Sequence, residues 1–311
     1  MNTLPTRMAF GRELIELAKE NENFVVCNAD TKTCSLEQFE KLYPHRAFSF
    51  GIAKQNLVGG AAGLAACGNK VFLATFAVFA SMRACEQVRT FVCYPKLNVT
   101  IIGTHTGLQV GGDGATHAAI EDVAIMRSFP NMTIVQPADA VAARKIARMA
   151  VDFEGPLYIR LHRNAAEDIY DESYEFHLGK ANLVKNYGSD LTIISSGILL
   201  AKALQAAEIL KEEGIFVRVL DMATIKPLDT EAILRAAEET GAIMTVEDHT
   251  IYGGLGSAVS EVVVQNRPVP MEIVGIRDRF GESGDPELLY RDHGMDVPSI
   301  VDKAKRLFAR K

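Results

Sequence analysis

The chain has 311 residues, 48% hydrophobic and 23% charged, with 24 glycines: proportions of a globular α/β protein long enough to bury two cores. A formal net charge of −6, with no local run of Lys and Arg, speaks against a nucleic-acid or anionic-membrane partner, either of which would want a basic face. Residues 1–12 hold no apolar signal core, no apolar run reaches the length of a membrane span, and the five cysteines (Cys27, Cys34, Cys67, Cys85, Cys93) contain no Cys-x-x-Cys pair, so reduced thiols in a cytoplasmic protein are expected.

Short apolar runs alternate with helical patterns along the whole chain. The first series of strand-like runs is Phe24–Cys27, Val71–Thr75, Val99–Gly103, Thr133–Val135 and Leu157–Leu161. A second is Leu191–Ser195, Phe216–Leu220, Ala242–Val246 and Met271–Val274. None alternates polar with apolar, as expected of strands covered on both faces. Leu200, Ala203, Leu204, Ala207 and Leu210 recur at helical spacing, and Gly214 supplies a stop. Strands separated by helices imply parallel sheets with crossover connections. The pattern breaks between Asn164 and Ser189, in an acidic, weakly periodic stretch expected to be a linker with a short hairpin. The predicted architecture is therefore two α/β domains with parallel or mixed sheets, residues 1–164 and 189–311, joined by a linker over 165–188.

Ligands of open α/β sheets sit outside the carboxyl ends of the strands, which points to the loops 28–35, 75–79 and 104–117. The last is the most polar: Gly103 to His117 reads GTHTGLQVGGDGATH and leads into a helix beginning near Ile120. Gly107, Gly111, Gly112 and Gly114 let the backbone turn tightly and approach a ligand, and His105, Asp113 and His117 supply groups that move protons or grip hydroxyls. A zinc site fits poorly, because the spacing of the two histidines matches no common pattern and no fourth ligand is evident; no metal ligand is assigned to the chain. Gly112-Asp113-Gly114 looks like the start of the thiamine-diphosphate metal motif, which closes with an Asn roughly 25–30 residues downstream in an oxygen shell for magnesium. Asn131 is the only nearby asparagine and falls well short of that spacing. The diphosphate motif is thus not found in this chain.

Several segments together resemble the C-terminal half of transketolase, most closely the small subunit of split transketolases. They are NADTKTCS (28–35), FSFGIAKQNLVGGAAGLA (48–65), ATFAVFASMRACEQVR (74–89) and YPKLNVTIIGTHTGLQVGGDGATHAAIEDVAIMR (94–127), with PNMTIVQPAD (130–139), GPLYIRLHR (155–163) and IKPLD (225–229). The resemblance implies a pyrimidine-binding domain followed by a transketolase C-terminal domain. It also implies thiamine diphosphate and Mg2+ as cofactors, with metal and diphosphate held mainly by a larger partner subunit, in an assembly of two large and two small subunits. By position, Phe76 and Phe79 match the aromatic pair packed on the aminopyrimidine, and Met82 falls where a third aromatic is usual. His117 matches the histidine near the cofactor's amino group, Asp113 the residue that reads substrate hydroxyls, and His105 a histidine of the acceptor channel. Arg7 and Arg163, with Arg160 as the register alternative, match arginines that hold a terminal phosphate through a planar bidentate fork. The family's phosphate-contacting serine falls at Cys34 or Ser35.

One position departs from that pattern. The family's Gly-Ile-Ala-Glu-Gln-Asn motif carries the Glu that exchanges a proton with pyrimidine N1′ and so activates the cofactor; here the motif is Gly51-Ile52-Ala53-Lys54-Gln55-Asn56. A general acid–base role is typically worth 10²–10⁴-fold, or about 3–5 kcal/mol of barrier. The resemblance therefore implies transfer of a two-carbon ketol unit from a ketose to an aldose, sugar phosphates being the default. Lys54 keeps open an inactivated or structural subunit, and a related thiamine enzyme acting on a different ketol is the further alternative.

Overall fold

The computed structural model describes residues 4–29 and 34–311. Twelve strands run in chain order: β1 Phe24–Asn28, β2 Ala47–Ser49, β3 Lys70–Phe76, β4 Val99–Thr104, β5 Thr133–Val135, β6 Leu157–Arg160, β7 Asn182–Asn186, β8 Leu191–Ser195, β9 Val217–Asp221, β10 Thr224–Lys226, β11 Ile243–Thr250 and β12 Met271–Ile276. Seven form one sheet in the order β10-β5-β6-β4-β3-β1-β2, and five form the other in the order β12-β11-β8-β9-β7. All pairings are parallel except β10 on β5 and β7 on β9.

Each of the nine apolar runs read from the sequence is a strand. All but β12, at one edge of the second sheet, lie inside their sheets and bury alternate residues on opposite faces. In β3, Val71 and Leu73 join one core cluster while Phe72 and Ala74 join another. The strands absent from the sequence reading are short or peripheral: β2 and β7 are exposed along much of their length at sheet edges, and β10 has only three residues. The expected linker hairpin does not form. Residues 165–188 contain a single strand, β7, which pairs antiparallel with β9 across the second sheet instead of with a neighbour in the linker.

The two domains interlock. β10 lies in sequence between strands of the second sheet yet closes the edge of the first, and Ile225 joins the first domain's core. Conversely, Leu108, Val110, Ala118 and Ile120 of the glycine-rich loop pack in the core cluster of the second domain, with Val246, Ile276 and Tyr290. The helix expected near Ile120 begins at Asp122 and runs to Ser128, and residues 107–113 form tight helical turns before it.

Candidate active site

Register brings the site together. Phe76 ends β3 directly beside Thr104, the last residue of β4, so the segments leaving these two central strands share one space. After β3 the chain turns helical, and Phe79 begins a wide π-helical turn, Phe79–Arg83. The Phe76 and Phe79 rings lie nearly parallel, 7° apart with centroids 6.0 Å from one another. After β4, His105 takes a left-handed backbone conformation (φ 58°) and stacks on Phe76 at 3.9 Å. His117, at the far end of the loop, stands nearly perpendicular to both phenyl rings, 5.8 and 5.4 Å away at 73° and 77°. Lys54, the first residue of helix Lys54–Ala66, reaches in from the side, its Nζ 5.1 Å from the Phe79 ring centre. Met82, on the same π-helical turn as Phe79, is exposed at the rim.

The histidines differ in setting. His105 is buried, and its pKa is pushed down to about 3, chiefly by burial and further by Arg7 and Arg163, so its ring is neutral at physiological pH. Its Nδ1 lies 2.9 Å from Thr104 Oγ1. His117 is more open, with Nδ1 2.9 Å from Thr116 Oγ1.

A cationic arm lies beside them. Arg163 Nη1 donates to Asp113 Oδ2 at 2.8 Å and to the Val110 carbonyl at 2.6 Å, tying the arginine to the loop. Arg7 Nε donates to the Arg163 carbonyl at 3.2 Å, and burial lowers the Arg7 pKa. Arg160 does not belong to this arm. It is fully buried, paired with Asp122 at 2.9 Å, and donates to the carbonyls of Ala119 and Asp248. Cys34 is also buried, and its carbonyl sits against Gly11, where a Cβ would collide with it; Ser35 is half-exposed at the start of helix Leu36–Leu42. Residues 30–33 of the loop 28–35 lie outside the described residues. Among the described residues no group of three His, Cys, Asp or Glu side chains is placed to hold a metal ion, and no helix is long and apolar enough to cross a membrane.

Three groups that shape the site escape a reading of local pattern: Asp122, Asp248 and Tyr290. Asp122 and Tyr290 lie in helices, and Asp248 extends β11 beyond its apolar run. The acidic and histidine residues that follow Val246 were the available signal, since polar residues at a strand's carboxyl end rarely lack a partner.

The chain matches the transketolase pyrimidine-binding domain over residues 2–168 and the transketolase C-terminal domain over residues 179–300. It belongs to the transketolase family. It is 42% identical to a 6-deoxy-6-sulfo-D-fructose transketolase subunit of Clostridium sp., covering 96% of this chain and 92% of that protein. It is likewise 42% identical to an apulose-4-phosphate transketolase subunit of Phocaeicola vulgatus, over 97% of both. Among solved structures, a split-gene transketolase in the form of an inactive beta4 tetramer superposes with a TM-score of 0.92 at 45% identity, covering 99% of each chain. These relatives are subunit-sized, and this transketolase chain shares their length.

Proposed function

We propose that this chain is the small subunit of a cytoplasmic, thiamine-diphosphate-dependent split transketolase that moves a two-carbon ketol unit from a ketose to an aldose. A larger subunit carrying the diphosphate-binding domain and Mg2+ completes each site, in an assembly of two large and two small chains. The observation that carries the reading is one patch at the carboxyl ends of β3 and β4, where a parallel phenylalanine pair is bordered by two histidines and an Arg–Asp pair. Such a flat apolar face with a polar edge fits a planar heteroaromatic ring.

Thiamine diphosphate supplies the carbon nucleophile that no side chain offers. The chain's own residues bind and orient. Phe76, Phe79 and Met82 give the ring its apolar bed, and the His117 edge meets polar substituents at its border. Neutral His105 can donate or accept one hydrogen bond to a sugar hydroxyl, and Asp113, held by Arg163, accepts from another. Arg7 and Arg163 suit a terminal phosphate or sulfonate, with Ser35, or Cys34 through its backbone, at the edge of that subsite. Relatives acting on a sulfonated ketose and on a sugar phosphate support this range of substrates.

Lys54 favours a second reading. Its ammonium carries three donors and no acceptor. It can hold a ring nitrogen but cannot take the proton that the family's glutamate exchanges, so the subunit binds cofactor and activates it poorly. The test is a paired assay with the large subunit, Mg2+ and thiamine diphosphate, following ketol transfer from a phosphorylated and a sulfonated ketose with wild type and Lys54→Glu. A gain of roughly 10²-fold or more in the variant is expected. Equal rates would sink the role given to Lys54, and no transfer from either protein in a stable complex would make the chain a structural subunit.

A further inference from the structure

In the second sheet the chain passes from β8 to β9 on one side and then to β11 on the other, so the topological switch point lies between the carboxyl ends of β8 and β11. That crevice is where a doubly wound sheet ordinarily receives a ligand. Here the first domain fills it. Gly197, just after β8, abuts Gln136 and His162, and the Ile198 N–H donates to His162 Nε2 at 3.1 Å. At β11, Asp248 turns its buried carboxylate to the glycine-rich loop: Oδ1 accepts from the Leu108 N–H at 3.0 Å, and Oδ2 accepts from the Tyr290 hydroxyl at 2.8 Å. A Cβ on Gly107 would run into the same carboxylate, so the loop approaches as closely as glycine allows.

Further along, the loop is held by the same domain. Gly111 accepts from the Gly284 N–H at 3.4 Å, and Gly114 lies against Ser283. Beyond His117, Ile120 accepts from the Thr250 N–H at 2.8 Å, and Arg160 bridges the Ala119 and Asp248 carbonyls, both at 2.9 Å. His105, Asp113 and His117 thus ride on backbone whose anchors belong largely to the other domain. His105 in particular holds a left-handed conformation that a non-glycine residue adopts only when its surroundings enforce it.

We propose that the C-terminal domain's ligand crevice has become a clamp, in which Asp248, braced by Tyr290, is a positioning residue that sets the loop carrying His105, Asp113 and His117. The inference rests on the reading of those three as substrate- and cofactor-facing groups, yet its test needs neither partner nor reaction. The histidine ring signals of the full chain, labelled at histidine, are followed by NMR. Stacking on Phe76 displaces the His105 ring protons upfield, and the nearby phenyl rings displace those of His117.

Asp248→Ala should lose those displacements for both histidines while far-UV circular dichroism stays unchanged. Asp248→Asn keeps an oxygen for the Leu108 N–H and an amide for Tyr290, and should restore the wild-type positions. Unmoved His105 and His117 signals in a folded Asp248→Ala protein would overturn the proposal, as would equal movement in Asp248→Asn. If Asp248→Ala does not fold, Tyr290→Phe decides: a partial shift supports the clamp, and wild-type signals refute it. A negative result here leaves the ketol-transfer assay, and the function it tests, untouched.

Discussion

His162 shows how much a single buried side chain carries in this molecule. It is fully buried, accepts from the Ile198 N–H through Nε2, and has Thr106 Oγ1 3.1 Å from Nδ1, which together set a neutral ring with the proton on Nδ1. Burial, aided by Arg160, pushes its pKa down to about 3. Unfolded chains protonate histidine near pH 6.5 and the folded chain does not, so the stability His162 contributes is complete above pH 6.5 and is lost as pH falls from there toward 3. Wild type should therefore be more stable than His162→Gln at pH 8, with about 2 kcal/mol of that advantage gone by pH 5. Urea unfolding at the two pH values measures this, and a pH-independent difference would refute it. At the same scale, the function proposed above makes Lys54 the residue whose substitution tests activity. Its ammonium, over the Phe79 ring, offers donors only where the resemblance places a carboxyl able both to give and to take a proton.

Elements depend on caps and termini as much as on periodicity. Asp139 precedes helix Ala140–Asp152, and its side chain accepts from the N–H groups of Ala142, Ile169 and Tyr170 at 2.7–2.8 Å. It thus starts a helix of the first domain and pins the beginning of the connection to the second. Asp139→Ala removes one cap and leaves two further N–H groups without that acceptor, so a loss of roughly 2–4 kcal/mol is expected. A shift in urea midpoint with unchanged slope would show it; a loss below about 0.5 kcal/mol would mean that water takes over those bonds. Most elements were legible because their signals are local. Continuous apolar runs mark β3, β4, β8 and β11, and the Leu200–Leu210 spacing marks the helix Leu199–Glu212. The glycine-rich loop was legible as a candidate site because its glycines and histidines are close in sequence. β7 and β10 were not: β7 is a largely exposed edge strand and β10 has only three residues, and each is a strand only because of a partner dozens of residues away.

At the scale of the whole molecule the family's domain boundaries do not correspond to separable bodies. β10 completes the first sheet from within the second domain, and the loop of the first domain is cored in the second. A chain cut after residue 168 would expose the backbone edge of β5 and lose Ile225 from its core. Residues 1–168 alone are expected to aggregate or to lack a cooperative melting transition, while the full chain melts cooperatively; calorimetry and size-exclusion chromatography distinguish them, and a monomeric, cooperatively melting fragment would contradict that dependence.

By itself the sequence determined the two α/β domains, the carboxyl-end loop with its histidines, the phenylalanine pair and the lysine at the glutamate position. The domains and the loop are written in residue type and short-range spacing, which backbone geometry reads directly, whereas the phenylalanine pair and the glutamate position were picked out by the resemblance to transketolase. Only the tertiary structure decided that Arg160 is a buried brace while Arg163 faces the loop, that β10 crosses between domains, and that Asp248 grips Leu108. Those outcomes depend on which buried polar groups find partners across long stretches of chain, and burial makes the pairing obligatory without revealing the partner in local pattern.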